Sequence, residues 1–209
     1  MKLTIFGATG KTGRHLVSQA LDVGHDVTAF VRDPAKLVVE HERLRLVQGD
    51  AMDAAKVSEA VVGADAVLVA LGHTKNTPAD MQTVASRHIV TAMKEHGVRR
   101  LVSLTGAGVR DPKDEPKVID RAIVGVMKLI SRRVLEDAKG HAAVLKGSGL
   151  DWIIVRGPML TDGPKTGEYR VGYVGKGSGT RASRADVADF MLKQLKDDGY
   201  LRQAPMVSS

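Results

Sequence analysis

Short, continuous apolar runs alternate along this chain with longer stretches in which apolar residues recur every three or four positions. Residues 3–6, 26–31, 44–48, 66–71, 100–104 and 152–155 read as strands. The run Ala66-Val67-Leu68-Val69-Ala70-Leu71 has no polar position, the pattern of a strand covered on both faces of a parallel sheet. Between the runs, Leu16, Val17, Ala20, Leu21 and Val23 predict a helix over 11–23 that Gly24 closes. Asp53 stands at the N-cap of a second helix carrying Val57, Ala60 and Val61, with Gly63 beyond its end. A third helix spans about 80–96, with Val84, Ile89 and Met93 inward.

After the fifth strand the alternation loosens. Residues 109–117, with Pro112, Pro116 and six charged side chains, predict a mobile loop over the carboxyl edge of a sheet. Ile119, Ile123, Met127, Ile130 and Val134 then mark an apolar helical face, able to cover a pocket or form a dimer contact. The glycine-rich stretch 163–179 reads as short strands and turns near the site. Ser183-Arg184-Ala185-Asp186 reads as a capping box for a helix to about 196, and 204–207 as an edge strand. The expected architecture is α/β: a single-domain Rossmann fold over 1–209 with a doubly wound, mostly parallel sheet, its substrate elements drawn from 106–135 and 157–180. The 209 residues suffice for one dinucleotide domain and fall short of a separate substrate domain.

The most informative chemistry lies at the first strand-to-helix junction. Gly7-Ala8-Thr9-Gly10-Lys11-Thr12-Gly13 follows a strand and opens a helix, with a second strand next, completing a βαβ unit. A tight turn into a helix aims unpaired N–H groups at one spot beside the positive end of the helix dipole, which suits a pyrophosphate. Gly10-Lys11-Thr12 imitates the end of a P-loop, but that loop needs a glycine where Ile5 stands, so ATP or GTP binding is disfavoured.

The end of the second strand discriminates between cofactors, since an acid pairs with a ribose hydroxyl and an arginine accommodates a 2′-phosphate. Asp33 precedes Pro34, an N-cap arrangement, which leaves Arg32 free with Lys36 one turn along. NADP(H) is therefore favoured over NAD(H). Asp50 is placed either to accept from an adenine amino group or to cap a helix. Gly72 suits close approach to the nicotinamide ribose, and equally a simple turn. No tyrosine occurs between Gly106 and Leu150, so the Tyr-x-x-x-Lys pair of standard short-chain dehydrogenases is missing. Thr105 is the well-placed hydroxyl, suited to a catalytic contact with nicotinamide or substrate, or to capping the following turn. A ketone would need a positioned acid, whereas hydride addition to a flavin or quinone gives a delocalised anion that needs mainly alignment.

Other chemistries are poorly served. There is no cysteine, no G-x-S-x-G and no H-E-x-x-H, so thiolate, hydrolase and zinc sites are not expected, and no metal site is assigned. His88 and His96 read as helix-surface residues, whereas His73, His141 and Tyr169 are candidates to reach the substrate. The net charge of +7 favours anionic ligands, but the basic residues are scattered and aromatics are sparse, so nucleic acid is disfavoured as a partner. With the first strand beginning at Lys2 and no apolar run of membrane-spanning length, the expectation is a cytoplasmic protein, monomeric or homodimeric, acting on a small molecule without a membrane.

The segments GATGKTG, VRDPAK, QGDA, VALG and SRADVADFML, with A-M-K-x-H-G-V at 92–98 and S-G-L at 148–150, resemble the atypical short-chain dehydrogenase/reductase group. The chain is similar within it to NAD(P)H-binding proteins of the biliverdin-IX-beta reductase (flavin reductase) type. The resemblance implies a single Rossmann domain, NADP(H), and a flavin or related conjugated acceptor. It implies that Gly7, Thr9, Gly10, Lys11, Thr12, Arg32, Asp50, Ala51, Leu71 and Gly72 line the cofactor, with Gly13, Lys36 and Ala70 beside them. Thr105, Pro158, Met159 and Leu160 are implied near the nicotinamide. Gly106 stands where the reductase has a serine and Met159 where it has a histidine, which disfavours bilin reduction. Arg156-Gly157-Pro158 is closer to quinone-reductase and NmrA-like relatives, the latter implying the alternative of a non-catalytic NADP(H)-binding redox sensor.

Overall fold

A computed structural model describes residues 1–74 and 77–209, with 118–131 described as helical backbone only. The apolar side chains expected at Ile119, Ile123, Met127 and Ile130 lie outside the described set. The first βαβ unit comprises β1 (Lys2–Phe6), α1 (Lys11–Asp22) and β2 (Asp26–Val31). The chain continues through β3 (Leu44–Gln48), α2 (Ala54–Val61), β4 (Ala66–Val69), α3 (Met81–Glu95), β5 (Arg100–Gly106), α4 (Val118–Lys146) and β6 (Asp151–Gly157). Short elements complete it: β7 (Met159–Thr161), β8 (Arg170–Gly172), β9 (Arg181–Ser183), α5 (Arg184–Lys193) and β10 (Met206–Ser208).

The eight-stranded sheet runs β3-β2-β1-β4-β5-β6-β10-β8 and is parallel except where β8 pairs with β10. Chain direction across the sheet reverses at the β1/β4 boundary, which opens a crevice at the carboxyl ends of these two strands. Strand alternation feeds two cores. Leu3, Ile5, Leu68, Ile153 and Val155 pack under α1 and α5 with Leu16, Val17, Phe190 and Met191, while Phe6, Val67, Leu101, Trp152 and Ile154 face α2, α3 and α4 with Val57, Ile89, Met93 and Leu145.

The local signals act as read. Asp33 accepts from the Ala35 N–H ahead of one 3-10 turn, Asp53 accepts from Ala55 and Lys56, and Gly24 takes a φ of +85° after α1. Val23 is 64% exposed, because the helix has already ended at Asp22. Elsewhere the fold departs from expectation. β4 stops at Val69, because Ala70 turns to meet the glycine loop. The 204–207 segment contributes to an internal strand, enclosed by β6 and β8, so it is not an edge. Ser183 caps α5 through the Asp186 N–H, but the Asp186 carboxylate reaches Thr166 and Gly167 and anchors that loop. The 109–117 loop is tied down: Asp114 forms a bidentate ion pair with Arg156, whose side chain is wholly buried, and the Glu115 N–H donates to Val174.

Candidate functional site

The glycine turn is shaped by contacts that exclude a side chain. Gly7 has a φ of +81°, and a Cβ there would lie 2.5 Å from the Ala70 carbonyl oxygen, so only glycine lets β1 leave the sheet against β4. A Cβ at Gly13 would lie 2.0 Å from the Gly7 carbonyl oxygen, which brings α1 against its own entry loop. Gly10 is the N-cap of α1 and offers no side-chain acceptor, and the first turn of α1 has no acidic residue. The free N–H groups and dipole of that helix are thus left to an external anion.

Two clefts meet at this turn. The smaller, about 130 Å³, is lined by Gly7, Thr9, Gly10, Arg32, Asp50, Ala51, Ala70, Leu71 and Gly72 together with Phe30, Val31, Thr74, Thr77 and Met81. The larger, about 580 Å³, shares Gly10, Ala70, Leu71, Gly72 and Thr74 and extends past Lys11, Thr12 and Thr105 to Pro158 and Leu160. Its outer wall includes His73, Gln82, Val109, Leu135 and Ala138. Gly13, Lys36 and Met159 do not line either cleft: Gly13 is packing, Lys36 pairs with Asp33 at 3.4 Å, and Met159 is 54% exposed.

Arg32 is exposed at the end of β2 and has no side-chain partner among the described residues. Asp50 accepts the Met52 N–H at one oxygen, so the helix cap belongs to Asp53 alone. Thr105 is 6% exposed, and its hydroxyl has no hydrogen-bond partner, so it caps no turn. A buried hydroxyl in a cleft wall with no protein partner is available to a bound molecule or to water. Added Cβ atoms at Gly72 and Gly106 would meet nothing within 4 Å, so these glycines reserve open space.

Arg14 and Asp162 carry roles that no sequence signal marks. Arg14 donates to Thr9 and Lys36 carbonyls and thereby braces the glycine turn against the turn after β2; it is simply the first polar position after Gly13. Asp162 links Lys11, at 2.8 Å, to Arg184, at 2.6 Å, across the mouth of the larger cleft. Hydrogen bonding to Lys11, with Arg184 nearby, holds the Asp162 carboxyl below the usual range. Nothing local marks that bridge, which spans 151 residues.

The other candidates separate cleanly. His73 stands in the wall of the larger cleft, with Nε2 2.8 Å from Asp137. His141 does not face a cleft: it is buried between the Ser86 and Ser103 hydroxyls, and burial pushes its pKa down to about 4. Tyr169 donates to Asp189 and stacks edge-on against Phe190, away from the cleft lining. His96 meets the Ser58 hydroxyl, and His88 the Ala51 carbonyl at 3.2 Å. No three His, Asp or Glu side chains form a metal-holding group among the described residues, and no described helix is long and apolar enough to cross a membrane.

Comparisons with known proteins bear on the fold and the family. In structure, the chain is similar to a short-chain dehydrogenase/reductase from Veillonella parvula in complex with NADP (TM-score 0.83, 20% identity, 100% of this chain and 94% of that one). It is also similar to ChuY, an anaerobillin reductase from Escherichia coli O157:H7 (TM-score 0.77, 22% identity, 100% and 97%). In sequence, it is 28% identical over 212 residues to an isoflavone reductase homolog from Zea mays, across 94% of this chain and 64% of that protein. It is 31% identical over 108 residues to the uncharacterized protein YwnB of Bacillus subtilis, across 52% and 48%. The chain thus spans less than two thirds of these curated relatives. A family model described as NAD(P)H-binding matches residues 7–198, and the chain belongs to that NAD(P)H-binding family.

Proposed function

We propose that this chain is an NADPH-dependent oxidoreductase that passes hydride to a flavin, quinone or similar conjugated acceptor, without a Tyr-x-x-x-Lys dyad. One observation carries the reading: the uncapped start of α1 opens into two clefts that share Gly10, Ala70, Leu71, Gly72 and Thr74. A dinucleotide laid across that shared floor places its adenosine end in the smaller cleft and its nicotinamide in the larger. Gly7, Thr9, Gly10, Lys11 and Thr12 hold the pyrophosphate, Arg32 faces the 2′-phosphate, and Asp50 and Ala51 border the adenine. Ala70, Leu71 and Gly72 support the nicotinamide ribose, and Thr105 offers its hydroxyl to the carboxamide or the acceptor.

The space beyond Thr105 is walled by Val109, Leu135, Pro158 and Leu160, which supports drawing the substrate elements from 106–135 and 157–180. Such a wall suits a flat, largely apolar acceptor held face to face with the nicotinamide, where catalysis is mainly alignment. The test is titration calorimetry with NADPH and NADH, followed by NADPH oxidation against FMN, riboflavin, menadione and a conjugated enone. The expected result is tighter NADPH than NADH binding and turnover of at least one acceptor. NADP⁺ bound as tightly as NADPH with no turnover would replace the reductase by a redox sensor, and no binding would end both.

A further inference from the structure

His73 follows Gly72 directly, and its ring lines the larger cleft with 13% of the side chain exposed. Behind it, Asp137 of α4 is fully buried. Its Oδ2 receives His73 Nε2 at 2.8 Å and the Gln82 N–H at 2.8 Å. Its Oδ1 receives the Thr83 N–H at 2.9 Å and the Thr83 hydroxyl at 2.6 Å. The Gln82 and Thr83 N–H groups can only donate, one to each oxygen, and the carboxyl is held below its usual range, so Asp137 is ionised and the hydrogen it shares with His73 sits on Nε2. Burial works against that charge, but the hydrogen bonds from Thr83, Gln82 and His73 hold the carboxyl below the usual range.

This tautomer makes Nδ1 the exchangeable atom, with no partner among the described residues. Imidazole is the side chain suited to giving and retaking a proton near neutral pH, and the cleft lining holds no second histidine, no tyrosine and no carboxylate among the described residues. The other charged groups of that lining, Lys11 and Arg184, are paired with Asp162.

The geometry points to His73 as the catalytic acid of this site, delivering a proton from Nδ1 to the acceptor's carbonyl oxygen or ring nitrogen, with Asp137 as its positioning residue. The inference rests on the reductase reading above. NADPH, when bound, supplies the hydride, which adds to the electrophilic atom of the acceptor, N5 in a flavin or the β-carbon in a conjugated enone. As it adds, the acceptor's π electrons collect on its heteroatom. The Nδ1–H bond of the imidazolium breaks, the O–H or N–H bond forms, and the neutral ring keeps its Nε2–H on Asp137 until water returns a proton to Nδ1. One hydride and one proton are consumed, a two-electron reduction.

Three measurements on the full chain test this. Nitrogen NMR of the cofactor-free protein should show the Nε2–H tautomer at His73, and that tautomer should lose its predominance in Asp137→Asn. Calorimetry should give His73→Gln an NADPH affinity within about twofold of wild type. Single-turnover reduction of menadione or FMN should slow about 100-fold in His73→Gln, the low end for general acid catalysis because the acceptor anion is delocalised. An Nδ1–H tautomer, a tautomer balance indifferent to Asp137→Asn, or wild-type reduction by His73→Gln overturns the role, as does a wild type that binds NADPH and reduces nothing. Failure of wild type to bind NADPH overturns the reductase reading itself. Should Asp137→Asn not fold, the wild-type tautomer and His73→Gln still decide.

Discussion

Replacing Arg156 with methionine tests how the acceptor side of the larger cleft is held. Arg156 is wholly buried; its Nη atoms reach the two Asp114 oxygens at 2.7 and 2.8 Å, Nη1 also donates to the Val109 carbonyl at 3.0 Å, and Nε donates to Ala204 at 2.6 Å. Methionine fills most of the volume and makes none of these bonds. The Asp114 side chain, 6% exposed, keeps only the Asp111 and Val174 N–H groups as partners. Leaving one partner of a buried ion pair uncompensated costs about 3–5 kcal/mol. In a chain of this size each kcal/mol lowers Tm by about 2–4 °C, so a fall of about 6–20 °C is expected. Urea unfolding at pH 7 should show the loss as a lower midpoint at unchanged slope. The double variant Arg156→Met/Asp114→Leu removes the stranded charge as well and should be no less stable than Arg156→Met. Acidification gives an independent check. In wild type, burial opposes the Asp114 charge, but Arg156 and two backbone N–H groups hold its carboxyl below the usual range, so the pair stays intact down to about pH 4. In Arg156→Met only the two backbone N–H groups are left to oppose burial, which favours protonation, so the deficit should shrink as pH falls from 7 toward 5. A constant deficit, or single losses that simply add in the double variant, would refute a charge-based account in favour of lost packing.

Three further outcomes follow from the site and core. Arg32→Glu should weaken NADPH about 100-fold or more in calorimetry while sparing NADH, because one charge-assisted contact worth about 1.5–3 kcal/mol becomes a repulsion of about 1 kcal/mol; equal weakening of both would remove the 2′-phosphate assignment. Thr105→Val should raise the unfolding free energy of the cofactor-free protein by about 0.5–1 kcal/mol, since it deletes a buried hydroxyl without a partner, and weaken NADP⁺ about tenfold; a destabilised variant would show that the hydroxyl is satisfied internally. His141, held at about 4 by burial, stays neutral in the folded chain while the unfolded chain protonates near 6.5. Stability is therefore complete above that value and should fall by about 3 kcal/mol as pH drops from 6.5 to 4, a slope that His141→Gln should flatten in urea titrations.

Which parts of the site were legible follows from how far apart the cooperating residues lie. The glycine turn, the Asp33 and Asp53 caps and the positions of Arg32 and Asp50 are written within a few residues of where they act, so spacing alone places them. Gly13 is a different case: its spacing marks it with the other two glycines, but the structure uses it to bring α1 against the turn, not to line the cleft. Met159 was placed through resemblance, and its neighbour Leu160 points inward in its stead because β7 alternates. The capping role of Asp137 was invisible because the helix it caps, α3, starts more than fifty residues earlier, and Asp80 at the local cap position makes no side-chain bond.

The same contrast divides the two halves of the site. The proposed dinucleotide half centres on the first βαβ unit, whose glycine turn is shaped by backbone contacts, and is completed by the segments that follow β3 and β4. The acceptor half is built by long ties, His73 to Asp137, Arg156 to Asp114 and Asp162 to Lys11 and Arg184, each joining a loop at the carboxyl edge to a distant element. Each tie fixes one wall of the larger cleft and none touches the glycine turn except through the Lys11 side chain. Substitutions at the first two ties, which share no residue with the proposed pyrophosphate site, should therefore move acceptor KM and reduction rate while leaving nucleotide affinity nearly constant, and a tie whose loss lowered NADPH affinity instead would show that the two halves are mechanically coupled.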